Sequence, residues 1–324
     1  MSTNIKKIVT RIWSAPKAFL AILLIFGVML FFNSQFYTVY NLVDLLNSNS
    51  IFVILAMGQT IVLIAGGVDL SIGGTMTVAG IIAILLINAN FPIPIAIIIV
   101  LVLGAVIGAI NAYISVYQKT EPFIVTLGMG VLLTGVAQQL TDAHPIPCTN
   151  PDFVKLSNFK LFGQVPVLII VMIAVVLLMY WTLRSTSFGR NCYAIGGDYE
   201  VAKYSGIPAT RLKSLTYVIS GITAAFGGIM LSSWLNSGNS IYGSITALYV
   251  VCALVVGGTS VAGGIGGAIK SVIGILVLGL LTNAFNMLNV DSFLPYLSTG
   301  LQGLIIVFII WLDCYGRKRK RESV

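Results

Sequence analysis

Long runs of apolar residues alternate with short polar segments along most of this chain. The hydrocarbon core of a bilayer is about 30 Å thick and requires about 20 apolar residues in an α-helix. Dividing the Gly-rich stretches differently would give about eight to eleven spans. The pattern predicts an all-α fold, a polytopic transmembrane helix bundle of about ten spans. These spans are 18–33, 46–66, 71–89, 93–117, 122–140, 166–183, 214–235, 245–259, 268–288 and 296–313.

The composition excludes most classes of soluble protein. Of the 324 residues, 57% are hydrophobic and only 9% are charged, whereas a soluble domain has about 25% charged residues. So few charges cannot cover the surface of a soluble enzyme, a secreted scaffold or a disordered protein of this size. The four cysteines lack metal-ligand spacing and there is one histidine, so we expect neither a metal site nor a cofactor.

The distribution of positive charge predicts the orientation in the membrane. With ten spans, 16 of the 18 basic residues fall on the side of both termini, and only Lys155 and Lys160 fall on the other side. The positive-inside rule then puts both termini in the cytoplasm. The net charge of +8 is therefore an orientation signal, and we expect no nucleic acid partner.

These assignments divide the chain into a cytoplasmic N-terminal segment at 1–17, a transmembrane domain at 18–313 and a basic cytoplasmic tail at 314–324. We expect the tail to lie against anionic membrane lipid, which attracts clustered lysine and arginine.

A long periplasmic loop at 141–165 is either an irregular connection or part of a docking surface for an external partner.

A second long loop, on the cytoplasmic side at 184–213, contains the signals of a short helix. Asp198 can cap the N-terminus, and Glu200 in the first turn opposes the positive end of the helix dipole. Gly206 fits the position after the helix end, and Pro208 stops the helix. A helix this short is marginal in water. It is therefore either an interfacial helix on the membrane or a knob that inserts into a cytoplasmic partner.

A glycine pair, Gly66-Gly67, joins two predicted spans on the cytoplasmic side. Glycine can end a helix in backbone conformations that other residues avoid. Asp69 or Ser71 can then cap the next helix, whose first N–H groups lack partners. A carboxylate near the membrane boundary has a high free-energy cost unless hydrogen bonds or an opposite charge stabilise it. We expect a structural cap; the alternatives for Asp69 are a gate or ATPase contact, and a proton relay.

A second glycine pair, Gly257-Gly258, lies at a comparable joint further along the chain. The Gly-rich stretch that follows ends at Lys270, but a nucleotide-binding P-loop needs glycine directly before its lysine. Here Ile269 holds that position. No other segment supplies a Walker motif, so the sequence predicts no nucleotide site in this chain.

The stretch Glu200-Val201-Ala202-x-x-x-Gly206 resembles the E-A-A-x-x-x-G coupling signature of bacterial ABC importer permeases, with Val201 in place of the first alanine. The chain is similar to the ribose/xylose/galactose branch of these permeases over roughly residues 20–320. That branch usually has Asn where Asp198 stands, and Asp keeps the capping ability. Four stretches carry this similarity: Gly66-Gly67-Val68-Asp69-Leu70-Ser71-Ile72-Gly73, Phe188-Gly189-Arg190 with Ala194-Ile195-Gly196-Gly197, Ser205-Gly206-Ile207, and Val256-Gly257-Gly258-Thr259-Ser260-x-x-Gly263-Gly264.

The resemblance implies a permease subunit that forms the path for a monosaccharide in an ATP-driven importer of the bacterial inner membrane. It implies two cytoplasmic ATP-binding subunits, a periplasmic sugar-binding protein and a second permease subunit in a homo- or heterodimer. The chain would then be no enzyme, since ATP is hydrolysed on a separate subunit. The signature assigns coupling to the ATPase to Asp198, Glu200, Ala202 and Gly206.

Other functions stay open beside this interpretation. A related ABC permease could carry branched amino acids, nucleosides or a signalling sugar derivative. An ion-coupled secondary carrier or channel would belong to another class, as would a structural subunit without a pore. The predicted spans contain almost no acidic residues, which argues against ion-driven transport through carboxylates and against a cation channel with acidic rings.

A sugar path needs hydroxyl and amide groups at membrane depth, and polar residues within the spans supply candidates. For each of them, the alternative role is a hydrogen bond between helices that stabilises the bundle. Asn283 and Asn286 are three residues apart and share a helix face. The candidates for the translocation path are Gln59, Asn111, Thr126, Gln138, Asn283 and Asn286.

Overall fold

The computed structural model describes residues 17–161, 163–243, 245–292, 297–298, 300–301, 303–304 and 307. Within these residues the chain is predominantly α-helical, which confirms the predicted all-α class. One π-helical turn, Tyr113–Tyr117, extends the fourth helix. The helices are α1 (Lys17–Phe32), α2 (Val39–Ile64), α3 (Ile72–Asn88), α4 (Ile93–Ala112), α5 (Pro122–Thr141), α6 (Pro151–Asn158), α7 (Val167–Ser185), α8 (Ser187–Gly197), α9 (Tyr199–Tyr204), α10 (Ala209–Trp234), α11 (Thr246–Val256) and α12 (Ala268–Met287).

Nine of the ten predicted spans coincide with helices in the described part of the chain. Six helices are long and apolar enough to cross a membrane: α2, α4 with its π-helical turn, α5, α7, α10 and α12. The apolar helices α1, α3 and α11 are shorter. The tenth predicted span, 296–313, falls largely outside the described residues. The structure confirms a helix bundle with six helices that could cross a membrane in the described residues, and the number ten stays a prediction.

Helix α2 begins at Val39, well before the predicted span at 46–66. Thr38 caps it, because the Oγ1 atom of Thr38 accepts the backbone N–H of Asn41 at 3.3 Å. Polar residues interrupt the apolar run here, so hydrophobicity alone does not reveal the first turns of the helix. Asn41 is nevertheless buried. Its side chain forms two hydrogen bonds with Asn283 of α12, which satisfy its polar groups.

Helix α10 lies at the centre of the bundle and packs against α2, α3 and α4. Gly221 of α10 faces Gly104 of α4 so closely that a Cβ on Gly221 would lie 2.1 Å from the Gly104 carbonyl oxygen. Small residues of this kind allow backbones of membrane helices to touch. By contrast, α4, α5 and α7 leave much of their apolar surface exposed, as helices that face lipid do.

The helices run between two ends of the bundle, which we name by what they carry. The four short strands form two antiparallel pairs, β1 (Ile146–Pro147) with β4 (Ser237–Gly238) and β2 (Lys160–Leu161) with β3 (Val165–Pro166). The end with β1 and β4 is called the strand end. The opposite end, called the joint end, holds the connections at 65–71, 198–208 and 257–267.

The predicted external loop at 141–165 is ordered at the strand end. Its helix α6 buries Phe153 completely. The Ser157 hydroxyl donates to the Met230 carbonyl at 2.8 Å, and the Ser233 hydroxyl of α10 donates to the Phe153 carbonyl at 2.7 Å. The loop contains one helix, α6, and its polar groups anchor it to α10. A docking role for its outer surface stays a prediction.

Candidate functional site

Helix α9, at the joint end, is the short helix that the sequence predicts within 184–213. The Asp198 side chain accepts the N–H of Val201 at 3.0 Å, as an N-terminal cap does. Gly206 has a φ of +82°, a conformation that glycine adopts readily after a helix end. Its N–H donates to the Lys203 carbonyl at 3.1 Å. Both predicted ends of the helix are confirmed.

Two side chains of α9 hold it to the bundle and others point away. The Tyr199 hydroxyl is hydrogen-bonded to the Thr210 hydroxyl of α10 at 2.9 Å. Ala202 is buried against neighbours on α8 and at the start of α10. Val201 is 61% exposed and Tyr204 is 86% exposed. Glu200 is exposed as well. The helix therefore presents a mixed apolar and charged surface that neither the bundle nor the rest of the loop covers within the described residues.

Three glycine pairs from separate parts of the sequence meet at the end of α8, just before α9. The N–H of Gly264 donates to the Ile64 carbonyl at 2.9 Å. A Cβ on Gly196, at the end of α8, would lie 1.7 Å from that same Ile64 oxygen, and a Cβ on Gly263 would lie 3.0 Å from Gly66 Cα. The loop at 184–213 is thus in backbone contact with the joint after α2 and the joint before α12. A side chain on Gly196 or on Gly263 would collide with backbone atoms of the neighbouring segment.

Side chains next to this contact add further links. Lys213 Nζ of α10 donates to the Gly66 carbonyl at 3.0 Å, and the Tyr193 hydroxyl of α8 donates to the Gly266 carbonyl at 3.1 Å. Cys192 is fully buried beside Tyr193. Because burial disfavours the thiolate, the pKa of the Cys192 thiol is raised to about 12. The thiolate is the reactive form of cysteine, so a buried thiol with a raised pKa is a structural group and not a reactive one.

At the second joint, the predicted motif residues Gly257 and Gly258 are not the glycines that contact α8. Gly258, with a φ of +94°, follows the end of α11. A Cβ on Gly257 would lie 2.1 Å from the Lys270 carbonyl oxygen, so this glycine lets α11 approach α12. The contact with α8 is made further along, by Gly263 and Gly264. Glycine spacing alone does not show which pair of a Gly-rich joint touches a third segment.

Asp69 is the centre of a buried hydrogen-bond cluster between α2 and α3. One carboxylate oxygen of Asp69 accepts the Ser71 backbone N–H at 3.0 Å and the Ser71 hydroxyl at 2.6 Å. The other oxygen accepts the Ser220 hydroxyl of α10 at 2.8 Å. The Asn111 amide of α4 donates to the Ser71 hydroxyl oxygen at 2.8 Å. The carboxylate is thereby satisfied by donors from the α3 start and from α10.

The backbone of Asp69 is held as well. With its amide oriented to match both groups, Gln59 donates to the Asp69 carbonyl at 3.1 Å and accepts the Asp69 N–H at 3.3 Å. The Thr126 hydroxyl of α5 donates to the Pro122 carbonyl at 2.8 Å and lies 3.4 Å from the Val68 carbonyl. Four helices thus fix the connection that follows Gly66-Gly67.

The prediction that Asp69 or Ser71 caps α3 is wrong in its detail. Ser71 holds the N-cap position but makes no side-chain hydrogen bond to the helix, and the Asp69 carboxylate binds the N–H of Ser71 itself. The carboxylate is used instead to tie the connection to α10. The local Asp-x-Ser pattern predicts hydrogen bonds within the turn. It carries no information about Ser220, which lies 151 residues away.

The six predicted path residues separate into three groups. Gln59, Asn111 and Thr126 belong to the Asp69 cluster or its edge, where their polar groups are engaged with the connection. Gln138 is exposed on α5 away from this cluster. Asn283 and Asn286 line a cleft, which has a volume of about 310 Å³. The cleft residues are Asp44, Leu45, Ser48, Asn49, Phe52, Tyr249, Gly279, Thr282, Asn283 and Asn286.

The described part of the chain brings no three His, Cys, Asp or Glu side chains close enough to hold a metal ion. The polar arrangements it does contain are the Asp69 cluster, the cleft and the surface of α9. The cluster and the cleft can form hydrogen bonds through carboxylate, hydroxyl and amide groups, and the surface of α9 can dock against a partner.

Comparison with known proteins identifies relatives over almost the full length. The model of the family described as branched-chain amino acid transport system / permease component matches residues 41–310. The ribose import permease protein RbsC of Haemophilus influenzae is 32% identical over 307 residues, covering 94% of this chain and 94% of that protein. No solved structure matches the chain significantly.

Two further relatives carry other sugar names. The galactose/methyl galactoside import permease protein MglC of Escherichia coli is 30% identical over 321 residues, covering 94% of this chain and 95% of that protein. The L-arabinose transport system permease protein AraH of Escherichia coli is 32% identical over 311 residues, covering 96% of this chain and 94% of that protein.

Proposed function

The chain belongs to the family of branched-chain amino acid transport system permease components, and we propose that it forms the transmembrane path of an ATP-driven importer for a monosaccharide. It is a transport subunit of the bacterial inner membrane and not an enzyme. The observation that carries the choice of a sugar is the set of relatives named for ribose, galactose and arabinose. Each is at least 30% identical over at least 94% of this chain.

Other cargoes belong to the same family. The family description itself names branched-chain amino acids, and nucleosides or a signalling sugar derivative are further alternatives. An ion-coupled carrier or channel is the alternative of another class. The Asp69 carboxylate accepts three hydrogen bonds inside the bundle, which supports a structural role for it over proton or sodium coupling.

We assign coupling to the cytoplasmic ATP-binding subunit to α9. The exposed Val201 and Tyr204 supply its apolar contact surface, with Glu200 beside them. Asp198 and Gly206 define the two ends of the helix, and Ala202 anchors it to the bundle. The resemblance of this stretch to the coupling signature of ABC importers supports the assignment.

Movement of α9 reaches the bundle through the three glycine pairs. The end of α8 contacts Ile64 and Gly264 directly, so displacement of the loop displaces both joints. The Gly66-Gly67 joint leads into the Asp69 cluster, which ties α3 to α4 and α10. In this mechanism ATP binding shifts the population from an inward-open to an outward-open bundle, and hydrolysis reverses it.

We propose ten spans with both termini in the cytoplasm. The basic residues of the connections at the joint end support this orientation, because lysine and arginine concentrate on the cytoplasmic side. Segment 1–17 and tail 314–324 then lie in the cytoplasm, with the tail against anionic lipid, and 18–313 forms the permease domain. The strand end, with the ordered loop at 141–165, faces the periplasm.

The partners follow from the two ends. Two ATP-binding subunits meet α9 at the joint end of two permease subunits, which are copies or paralogues of each other. A periplasmic sugar-binding protein delivers the cargo at the strand end, where α6 and its flanking strands form a rigid surface on α10.

Purification of the tagged chain from its native membrane with its partners tests this function. We expect an ATP-binding subunit in the complex, a sugar-binding protein captured by it, and a monosaccharide released from that protein on denaturation. A released amino acid or nucleoside would replace the cargo with one of the alternatives. A chain that purifies without an ATPase and transports sugar on an ion gradient would contradict the proposal.

A further inference from the structure

The cleft at the strand end has chemistry that the coupling mechanism does not use. Helices α2, α11 and α12 enclose it, and its volume of about 310 Å³ lies at the small end of the range for ligand pockets, about 300–1,000 Å³. Asp44 of α2 and Asn286 of α12 are the exposed polar residues at its rim. A small ligand can therefore enter the cleft from the strand end.

Asp44 supplies an available carboxylate. Within the described residues, its side chain makes no hydrogen bond and no ion pair, whereas the Asp69 carboxylate is fully engaged. Ser48 lies one turn further on the same face, and its hydroxyl donates to the Asp44 carbonyl at 2.8 Å. The Ser48 oxygen retains capacity to accept a hydrogen bond. The α2 wall is thus rich in acceptors, which hydroxyl groups of a ligand can satisfy.

Amide groups complete the polar wall. Asn283 is held by Asn41 through two hydrogen bonds of 2.9 and 3.1 Å, so its role is to fix α12 against α2. Asn286, one turn away, is exposed and free of such a pairing within the described residues. Asn49 occupies the space that a side chain on Gly279 would fill, since a Cβ there would lie 2.3 Å from the Asn49 amide oxygen.

Aromatic rings form the deeper part of the cleft. The ring centroids of Phe52 and Tyr249 are 5.0 Å apart with an interplanar angle of 52°. A second cavity of about 190 Å³ continues past Phe52 and is bounded by Trp234 and Tyr242. Rings give a ligand apolar contact area without demanding hydrogen bonds. A carboxylate and amides at the rim with rings below form a surface with one polar side and one apolar side.

We propose that this cleft is a low-affinity monosaccharide-binding subsite of the permease. Asp44 accepts hydrogen bonds from sugar hydroxyls, Asn286 donates and accepts, and the Phe52 and Tyr249 rings contact the C–H face of the sugar ring. This inference rests on the proposed function, because it takes a sugar as the cargo. A half-open site suits a transport path, since the cargo must leave as readily as it enters.

The test uses the complete transporter, the chain with its ATP-binding subunits, in lipid nanodiscs without the sugar-binding protein. Saturation-transfer NMR measures binding of ribose, galactose and L-arabinose at millimolar concentrations. We expect the wild type to bind one or more of them. Asp44→Asn is expected to weaken that binding by about tenfold, since a hydrogen bond to a charged group is lost. Phe52→Leu is expected to weaken it several-fold by removing the ring while keeping an apolar side chain.

The matched control is Asp142→Asn, which removes an exposed carboxylate at the strand end outside the cleft. Residue 142 has a φ of 47°, and Asn tolerates that conformation as well as Asp, so we expect unchanged binding. Asp44→Glu keeps the charge and is expected to bind more tightly than Asp44→Asn. Equal loss in Asp44→Glu and Asp44→Asn would indicate a packing role for Asp44 and overturn the subsite.

Four results separate the subsite from the proposed function. Wild-type affinity in both Asp44→Asn and Phe52→Leu, with ATP-dependent uptake intact, would overturn the subsite and leave the importer in place. No saturation transfer to any sugar from the wild type would also overturn it. Uptake that requires sodium in the wild type but not in Asp44→Asn would identify a cation site instead. Absence of ATP-dependent sugar uptake in the complete wild-type system would overturn the proposed function itself.

Discussion

At the residue scale, the joint end depends on positions where no side chain fits. A Cβ on Gly196 would collide with the Ile64 carbonyl and with Gly264, whereas a Cβ on its neighbour Gly197 would have open space for 4 Å around it. The two glycines are equivalent in the sequence, and only the packing of three distant segments distinguishes them. A pattern of glycine pairs therefore predicts the joints but not which member of a pair is required.

Gly196→Ala tests this distinction. Its Cβ would lie 1.7 Å from the Ile64 oxygen, so α8 must move away from the joint. We expect a loss of about 3 kcal/mol in the free energy of unfolding, at the upper end of the cost of overpacking. Gly197→Ala is the control and is expected to change it by about 0.5 kcal/mol or less. Thermal unfolding of the purified protein in detergent measures both, and equal midpoints for the two variants would contradict the glycine contact.

Asp69 offers a second test at this scale. Asp69→Ala leaves the Ser71 and Ser220 hydroxyls without their acceptor inside the bundle, and each unsatisfied buried group costs about 1–3 kcal/mol. In Asp69→Asn, the amide oxygen replaces one acceptor and the Ser220 hydroxyl can rotate to accept from the amide nitrogen. We expect Asp69→Asn to fold and retain substantial transport and Asp69→Ala to lose stability. Uptake assays and thermal unfolding measure these effects; a stable Asp69→Asn protein without transport would favour a gate.

At the element scale, α9 is the segment whose local sequence and structure agree best. Its cap, its glycine end and its stop at Pro208 are local signals, so the sequence alone is sufficient to predict the helix. The start of α2 shows the opposite case. Its first turns carry Asn41, Asp44 and Asn49, which resemble a polar connection until α12 is placed against them. The α2 wall of the cleft escaped prediction for that reason, whereas Asn283 and Asn286 of its α12 wall were predicted path residues.

Gly206→Pro tests the coupling role of α9. Proline restricts φ to about −65°, whereas residue 206 has a φ of +82°, so the helix end must rearrange. We expect the variant to insert into the membrane but to lose association with the ATP-binding subunit. The control is Gly163→Pro, because Gly163 has a similar φ of +72° and open surroundings but lies at the strand end. Co-purification measures association; a Gly206→Pro chain that retains its ATPase would contradict the assignment.

At the scale of the whole molecule, hydrophobicity predicted the helical bundle but not how it packs, and the orientation inferred from charge stays a prediction. The predicted spans match helices because membrane helices must satisfy their backbone polar groups internally. The Asp69 cluster and the glycine contact join segments more than 100 residues apart. Such contacts depend on the folded arrangement of α2, α8 and α10, which no local pattern contains.

The orientation can be tested with single cysteines in a chain whose native cysteines are replaced by serine. Tyr204→Cys, in the exposed surface of α9, is expected to react with an impermeant maleimide only from the cytoplasmic side. Lys155→Cys, in exposed α6 at the strand end, is expected to react only from the periplasmic side. Labelling of intact cells and of inverted vesicles measures this, and reaction of both residues from the same side would refute the proposed topology.

The central claim is that ATP drives sugar through this chain, and reconstitution tests it most directly. The chain is placed in liposomes with its ATP-binding subunits, sugar-binding protein outside and ATP inside, and uptake of radiolabelled sugar is measured. We predict uptake that stops when ATP is replaced by a non-hydrolysable analogue and that no ion gradient restores. Sugar uptake by the chain alone, driven by a proton or sodium gradient without the ATPase, would contradict the account.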